Sequence, residues 1–223
     1  FDKVRQSDVL VLLDHVQFRK NYFQNRNRIF SDKGPMWLTV PVLTKSKPTQ
    51  PITEVRIDNR SSPRWKEKCW SGISQHYSKA DYWSNHEKFF DDLYDHNWDC
   101  LVDLNESIIR YILTSLFLGV RIIKSSEMKV KGSKGDLLLS ICREVGADIY
   151  LSGVSGKSYL DLDVFSDSGI DVCFQEFYHP IYKQVYEPFT PRLSAIDLLF
   201  NCGSDSSEVL KGVGVKTMDH IFE

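Results

Sequence analysis

The polar segment from Asp14 to Arg28 holds many side chains able to bind a small charged ligand. Guanidinium groups match the oxygens of phosphate or carboxylate, and side-chain amides offer a donor and an acceptor to sugar hydroxyls or bases. The segment follows an apolar run, and in open α/β sheets ligands bind beyond the carboxyl ends of strands. We therefore predict substrate binding by six side chains: Gln17, Lys20, Asn25, Arg26, Asn27 and Arg28. The alternative is a solvated basic loop anchored by its aromatic residues.

Two histidines stand where a general base would be useful. His15 follows the apolar run Val9–Leu13, and His179 lies among aromatic residues after a later apolar run. Histidine titrates near neutral pH, so either imidazole is a candidate to take a proton from a substrate. Tyr182 and Gln184 follow His179 closely and are predicted to contact substrate. A structural role for each histidine is the competing interpretation.

Serine and glycine at further strand ends complete the predicted site. Ser125 and Ser126 follow a β-prone run, and their backbone N–H groups are candidates to stabilise an oxyanion. Gly153 begins a glycine-rich stretch where the backbone can approach a ligand closely. Residues 156–158 are similar to the end of a P-loop, but Leu151 stands where the first glycine of that motif belongs, which excludes a P-loop. Plain turns at both places are the alternative.

Composition narrows the class of protein. A chain of 223 residues, 42% of them hydrophobic, can bury a core without disulfides or metals. The net charge of −2 is unlike the basic excess of a nucleic-acid-binding domain. The five cysteines lack zinc-site spacing and favour a reducing compartment, and no apolar run approaches the roughly 20 residues that cross a bilayer. We predict a cytoplasmic protein that binds a small molecule, with no metal, nucleic acid or membrane insertion.

Hydrophobic periodicity predicts an α/β fold. Strands are expected at 9–13, 36–43, 52–57, 120–123, 148–151 and 171–177, and helices at 61–77, 82–98, 101–118, 135–145 and 193–200. Strands and helices alternate after residue 118, which favours parallel βαβ units. We therefore predict a Rossmann-like, mainly parallel sheet in a single domain over residues 1–223, with a helical insertion or layer at 61–118. Asp197, on an apolar helix, needs a hydrogen-bonding partner if it is buried.

Several of these segments together resemble the WbqC-like family of bacterial surface-polysaccharide loci. The resemblance is carried by the stretch from FDK at 1–3 through DHVQF at 14–18, NYFQNRNRI at 21–29, WLTVPV at 37–42, Ser125-Ser126, YLSG at 150–153, YHPIY at 178–182 and LSAIDLLFNCG at 193–203. Members of that family usually open with a strand and a Gln-Pro pattern that this chain does not show. We therefore expect a short N-terminal strand to precede Phe1 in the whole protein.

The resemblance implies a transferase that places an acyl or aminoacyl group, glycine among the candidates, on a nucleotide-linked amino sugar. One alternative is an adenylating or nucleotidyl-transferring enzyme on a related fold, and another is a non-catalytic module that binds nucleotide sugars. The first two predict that Arg26 and Arg28 share one rim with Ser126, Gly153 and His179. No pattern indicates a cofactor or an oligomeric state.

Overall fold

A computed structural model describes residues 1–45, 47 and 49–214, together with the backbone of Thr217–Met218. The chain divides into two compact units. The first unit comprises residues 1–15 and 119–177, and the second comprises residues 16–118 and 178–223. The assignment of the whole chain to one domain stays a prediction.

Over the described residues, the helices and strands are short except for four helices of 12 to 15 residues. The helices are α1 (Asp2–Arg5), α2 (Trp65–Tyr77), α3 (Trp83–Asp95), α4 (Leu101–Ser115), α5 (Lys134–Val145), α6 (Leu162–Ser166), α7 (Ala195–Cys202) and α8 (Ser206–Leu210). The strands are β1 (Val9–Leu12), β2 (Arg26–Ser31), β3 (Gly34–Thr39), β4 (Arg121–Lys124), β5 (Ile149–Ser152), β6 (Asp171–Phe174), β7 (His179–Pro180) and β8 (Thr217–Met218).

The first unit is built from parallel strand pairs and their connecting helices. Strand β1 pairs with β4, and β5 pairs with β6, both in parallel. Helix α5 connects β4 to β5 and ends at Gly146, whose φ of +70° is the left-handed conformation that glycine adopts readily. Leu139, Cys142, Phe165 and Ile170 form a small core. Strands and helices therefore alternate in this unit as predicted, although β4 and β5, which α5 connects, belong to different strand pairs.

The second unit combines an antiparallel hairpin with helices. Strands β2 and β3 pair so that Arg26 lies opposite Thr39 and Ser31 lies opposite Gly34. Gly34 has a φ of +98°, and the Ser31 hydroxyl donates to its carbonyl at 2.6 Å, which closes the tight turn. Strands β7 and β8 form a second, short antiparallel pair. The described strands thus pair both ways. The molecule is a mixed α/β protein, and a Rossmann-like sheet stays a prediction.

An aromatic cluster centred on Phe200 forms part of the core of the second unit. The Phe200 ring, fully buried, stacks on Tyr77 at a centroid distance of 5.0 Å and lies 5.1 Å from Trp83 and 5.6 Å from Phe90. These rings come from α2, α3 and α7, so the packing joins three helices that are distant in sequence. Helices α2, α3 and α4 fall in the predicted helical segment 61–118, whose status as an insertion stays a prediction.

Two local predictions are wrong. Residues 52–57, expected to form a strand, begin with a 3₁₀ turn at Ile52–Glu54, and only the bridges of Ile57 to Val42 and Arg56 to Cys100 follow among the described residues. Residues 26–28, expected in a loop, form the start of β2. The start of this strand was not predicted because its residues are polar, and hydrophobic alternation is the main sequence signal for a half-buried strand.

Candidate functional site

A buried carboxylate organises the chain where β1 and β4 end. Asp14 is buried, and its Oδ1 accepts hydrogen bonds from the Ser126 backbone N–H at 2.8 Å and the Ser125 hydroxyl at 3.0 Å. Its Oδ2 accepts from the Ser126 hydroxyl at 2.6 Å. The strand register explains the contact. Leu12 lies opposite Lys124, so Asp14 and Ser126, each two residues beyond the end of its strand, lie next to each other. The predicted pair Ser125-Ser126 is therefore held on Asp14, a residue that sequence reasoning missed.

His15 lies against this carboxylate through a serine. Its Nδ1 is 2.6 Å from the Ser125 hydroxyl oxygen, which also accepts the Asp14 backbone N–H at 3.1 Å. A hydroxyl has one proton, and beside a carboxylate that proton goes to the carboxylate oxygen. The contact with His15 then requires a proton on Nδ1. This arrangement favours the Nδ1–H tautomer, which leaves a lone pair on Nε2 for accepting a proton from substrate.

The hydrogen bonds around Asp14 set its ionisation. Burial raises the pKa of the Asp14 carboxyl, but hydrogen bonds from Ser126 and Ser125 more than offset this, and the pKa lies below its ordinary value of 3.8. Asp14 is therefore an anion at neutral pH. The Ser126 N–H, predicted to stabilise an oxyanion, donates to Asp14 here and serves to hold that anion.

Asp14→Ala is expected to lower the free energy of unfolding by about 2–3 kcal/mol at pH 7, because the buried Ser125 hydroxyl and two donor groups of the more exposed Ser126 lose a charged acceptor. A depressed folded-state pKa gives stability that is present above the unfolded pKa and is lost as pH falls through the folded value. The difference in the free energy of unfolding between wild type and Asp14→Ala should therefore shrink below about pH 4. Urea denaturation at several pH values measures it, with the exposed Asp163→Ala as control. A gap that is constant with pH would contradict this assignment.

The glycine-rich exit of β5 belongs to the same unit. A side chain at Gly153 would meet only the Lys3 ammonium, 3.9 Å away, so the backbone there is open. A side chain at Gly156 would collide with the Ser152 hydroxyl, which explains that glycine by close packing. The next strand, β6, leads to Gln175, whose amide donates to the buried Asp2 carboxylate at 2.7 Å. Gly153 thus stays a candidate for contact with substrate.

The second unit contains the basic residues predicted to bind substrate. The guanidinium of Arg26 lies over the Trp37 ring at 4.3 Å from its centroid and donates to the Asn21 carbonyl. Arg28 lies 5.8 Å from the same ring and donates to the Arg192 carbonyl at 3.0 Å. Neither arginine forms an ion pair with a described carboxylate. Both cationic groups sit on one face of the hairpin, because alternate residues of a strand share a face.

The remaining members of the polar segment differ in their surroundings. Asn25 donates from Nδ2 to the Val40 carbonyl at 2.9 Å and fastens the open end of the hairpin. Asn27 is exposed and accepts the Arg28 backbone N–H on its own Oδ1 at 2.8 Å. Gln17 and Lys20 are exposed. Of these side chains, Asn25 therefore has a contact that stabilises the hairpin, and the others lie at the surface.

His179 is held by backbone groups on both sides of its ring. Its Nδ1 lies 2.8 Å from the Pro180 carbonyl, and its Nε2 accepts the Arg192 backbone N–H at 3.2 Å. Burial lowers the pKa of His179. A neutral imidazole whose Nε2 lone pair receives a backbone N–H is well placed to fix the loop that contains Arg192. This geometry supports His15 over His179 as the candidate base.

Tyr182 and Gln184 meet at a buried acid. Asp197 has none of its surface exposed, and its Oδ2 accepts from the Tyr182 hydroxyl and the Gln184 amide, each at 2.8 Å. Its Oδ1 accepts from the Tyr77 hydroxyl at 2.7 Å. The expectation that a buried Asp197 needs partners is confirmed. Tyr182 and Gln184 were predicted to contact substrate, but in this structure both donate hydrogen bonds to the Asp197 carboxylate.

The predicted site residues therefore fall into two groups. Those in the first unit are His15, Ser125, Ser126 and Gly153, and those in the second are Gln17, Lys20, Asn25, Arg26, Asn27, Arg28, His179, Tyr182 and Gln184. The expectation that both groups share one rim stays a prediction. Over the described residues, no group of three or more His, Cys, Asp or Glu side chains is arranged to hold a metal ion. No helix in that part of the chain has the length and apolar character to cross a membrane.

The strand pairs, the helices and the polar cluster where β1 and β4 end define a mixed α/β protein with a histidine–serine–aspartate array. The chain belongs to the WbqC-like protein family, whose model matches residues 1–209. It is also 30% identical over 213 residues to the uncharacterized protein Rv1507c of Mycobacterium tuberculosis, a match that covers 95% of this chain and 91% of that protein. No solved structure matches the chain. The family resemblance noted in the sequence is thereby confirmed.

Proposed function

We propose that this protein is a cytoplasmic transferase that places an acyl or aminoacyl group on the amino group of a nucleotide-linked sugar for bacterial surface glycans. The observation that carries the proposal is the His15–Ser125–Asp14 array at the ends of two parallel strands. Membership of the WbqC-like family supports it. Glycine is among the candidate groups to be transferred.

The array suits attack by an amine on an activated acyl group. The sugar nitrogen forms a bond to the acyl carbon, the bond from that carbon to its carrier breaks, and one proton leaves the nitrogen. His15 Nε2 accepts this proton, and the imidazolium that forms is stabilised by Asp14 through Ser125. Ser125 and Asp14 are positioning residues in this scheme, because they act on the substrate through the His15 ring. Their contacts fix both the tautomer and the direction of Nε2.

The basic face of the hairpin supports the nucleotide part of the proposal. Arg26 and Arg28 bring two guanidinium groups to one strand face without a carboxylate partner among the described residues. Guanidinium groups bind phosphate oxygens in pairs, so one phosphate group of a pyrophosphate-linked sugar is a suitable ligand for them. The same face would also serve a module that binds nucleotide sugars without turnover, and the assay below separates the two.

The test is a mass-spectrometric assay of the full chain with UDP- and dTDP-linked amino sugars and activated acyl donors, glycyl donors included. The expected product is the sugar nucleotide with the mass of one acyl group added and one hydrogen lost. Pyrophosphate release that depends on ATP and magnesium would instead favour an adenylating enzyme. Binding of sugar nucleotides without any new product would favour the non-catalytic module. Either result would overturn the transferase proposal.

A further inference from the structure

A cleft of about 520 Å³ lies in the second unit between strand β3 and the start of helix α2. Its lining includes an aromatic residue, three hydroxyl-bearing residues and a lysine, which are Trp37, Thr39, Ser61, Ser62 and Lys68, beside Arg64 and several apolar residues. A volume of this size falls within the roughly 300–1,000 Å³ that is typical of small-molecule sites. None of the residues predicted from the sequence to bind substrate lines this cleft.

Trp37 is the most exposed aromatic residue on the lining of the cleft. Strand alternation turns Met36 and Leu38 towards the core and leaves Trp37 with 42% of its surface exposed. Arg26 lies over the indole at 4.3 Å from its centroid, and the Phe23 ring lies 5.6 Å away. These neighbours restrain the ring before any ligand arrives. A restrained, exposed indole is suited to stacking against a planar group such as a nucleobase, because little freedom is lost on binding.

Lys68 supplies the positive charge of the cleft. Its side chain is exposed on α2 and meets no described carboxylate. The other cation on the lining, Arg64, is paired with Glu67 at 2.6 Å, and the Ser61 backbone N–H donates to Asp58 at 2.9 Å. An anionic group is therefore expected at Lys68 and away from Asp58. A planar base and a phosphate together match this distribution of ring and charge.

We propose that the cleft binds a nucleoside diphosphate, with the base on Trp37 and a phosphate at Lys68. This inference rests on the proposed function, since it identifies where the nucleotide part of the sugar substrate is held. Thr39 and Ser62 supply hydroxyl groups at the cleft for the ribose or for the edge of the base. Arg26 restrains the Trp37 indole, on which the base would stack, by its cation–π contact.

Calorimetric titration of the full chain with UDP, dTDP, GDP and inorganic pyrophosphate tests the proposal. At least one of the nucleoside diphosphates should bind, and more tightly than pyrophosphate. Trp37→Leu should weaken that nucleotide about tenfold, the loss expected for one base–aromatic stack, and leave pyrophosphate unchanged. Lys68→Met should weaken both ligands. If Trp37→Leu does not fold, Lys68→Met decides, because its side chain is exposed on a helix.

Two matched variants and one active-site variant complete the experiment. Phe117→Leu removes another exposed aromatic ring of the second unit, and Lys88→Met removes an exposed lysine of α3; both should bind as wild type does. His15→Ala should bind the nucleotide normally even where transfer is lost, which separates this inference from the proposed chemistry. The inference is overturned if none of the three diphosphates binds. It is equally overturned if Trp37→Leu and Lys68→Met match the wild-type affinity.

Discussion

Asp197→Ala is expected to lower the free energy of unfolding by about 4 kcal/mol. The carboxylate is fully buried and accepts hydrogen bonds from Tyr77, Tyr182 and Gln184. Removing it leaves three buried donors without their acceptor, and each unsatisfied donor costs about 1–3 kcal/mol before water and side chains readjust. Gln184 also bonds both backbone groups of Thr190, so the damage should extend into that loop.

The ionisation of this cluster predicts how a milder substitution behaves. Burial raises the pKa of Asp197, although bonds from Tyr77, Tyr182 and Gln184 lower it in part. Burial and the charge of Asp197 raise the pKa of both tyrosines, which therefore stay protonated as donors. Because the folded-state pKa of Asp197 is raised, its charged form costs stability as pH rises through that value. Asp197→Asn keeps an acceptor oxygen without the charge and should lose less stability than the alanine variant.

Urea denaturation at pH 7 measures these changes, and Asp81→Ala is the matched control. Asp81 lies in the same unit and is paired with Lys183 at 2.9 Å, but 59% of its side chain is exposed. Exposed ion pairs contribute about 0–1 kcal/mol, so this variant should be nearly neutral. A loss in Asp197→Ala no greater than in Asp81→Ala would show that the buried cluster does not hold the loop.

The elements that could be predicted from sequence are those whose own residues specify them. Helix α4 shows a helical apolar face, α5 ends at a glycine, and β1 is a continuous apolar run. Strand β2 could not be predicted this way, because its residues Arg26, Asn27 and Arg28 give no apolar alternation and their partner is β3. Residues 52–57 show the reverse case, in which partial alternation occurs without a strand.

The candidate site shows the same difference between features specified by local residues and features that depend on distant contacts. Residue type and position after a strand sufficed to select His15 and Ser125. Asp14 was missed because its role depends on a contact with Ser126, 112 residues away. One signal was available: if two predicted strands are parallel neighbours, the polar residues that follow each of them meet. Using it required the pairing of β1 with β4 and their register, which a single sequence does not specify.

His15→Ala is expected to lower kcat/KM for acyl transfer by about 10²–10⁴-fold, the usual contribution of a general base. Ser125→Ala and Asp14→Asn should lower it less, because each leaves the imidazole in place and disturbs its tautomer or orientation. The exposed His96→Ala serves as the control for removal of a histidine and should retain full activity.

The pH profile separates a base from a residue that only shapes the site. If His15 accepts the proton, the pH dependence of kcat/KM should differ in shape between wild type and His15→Ala, while both bind the sugar nucleotide equally well. An array that acted only structurally would keep the wild-type shape and lower the rate equally at every pH. The nitrogen-15 shifts of His15 should also report a proton on Nδ1 in wild type and a mixture of tautomers in Ser125→Ala, because the Ser125 hydroxyl oxygen is the partner of Nδ1 among the described residues. A wild-type His15 protonated on Nε2 at neutral pH would remove the lone pair on which the proposed transfer depends.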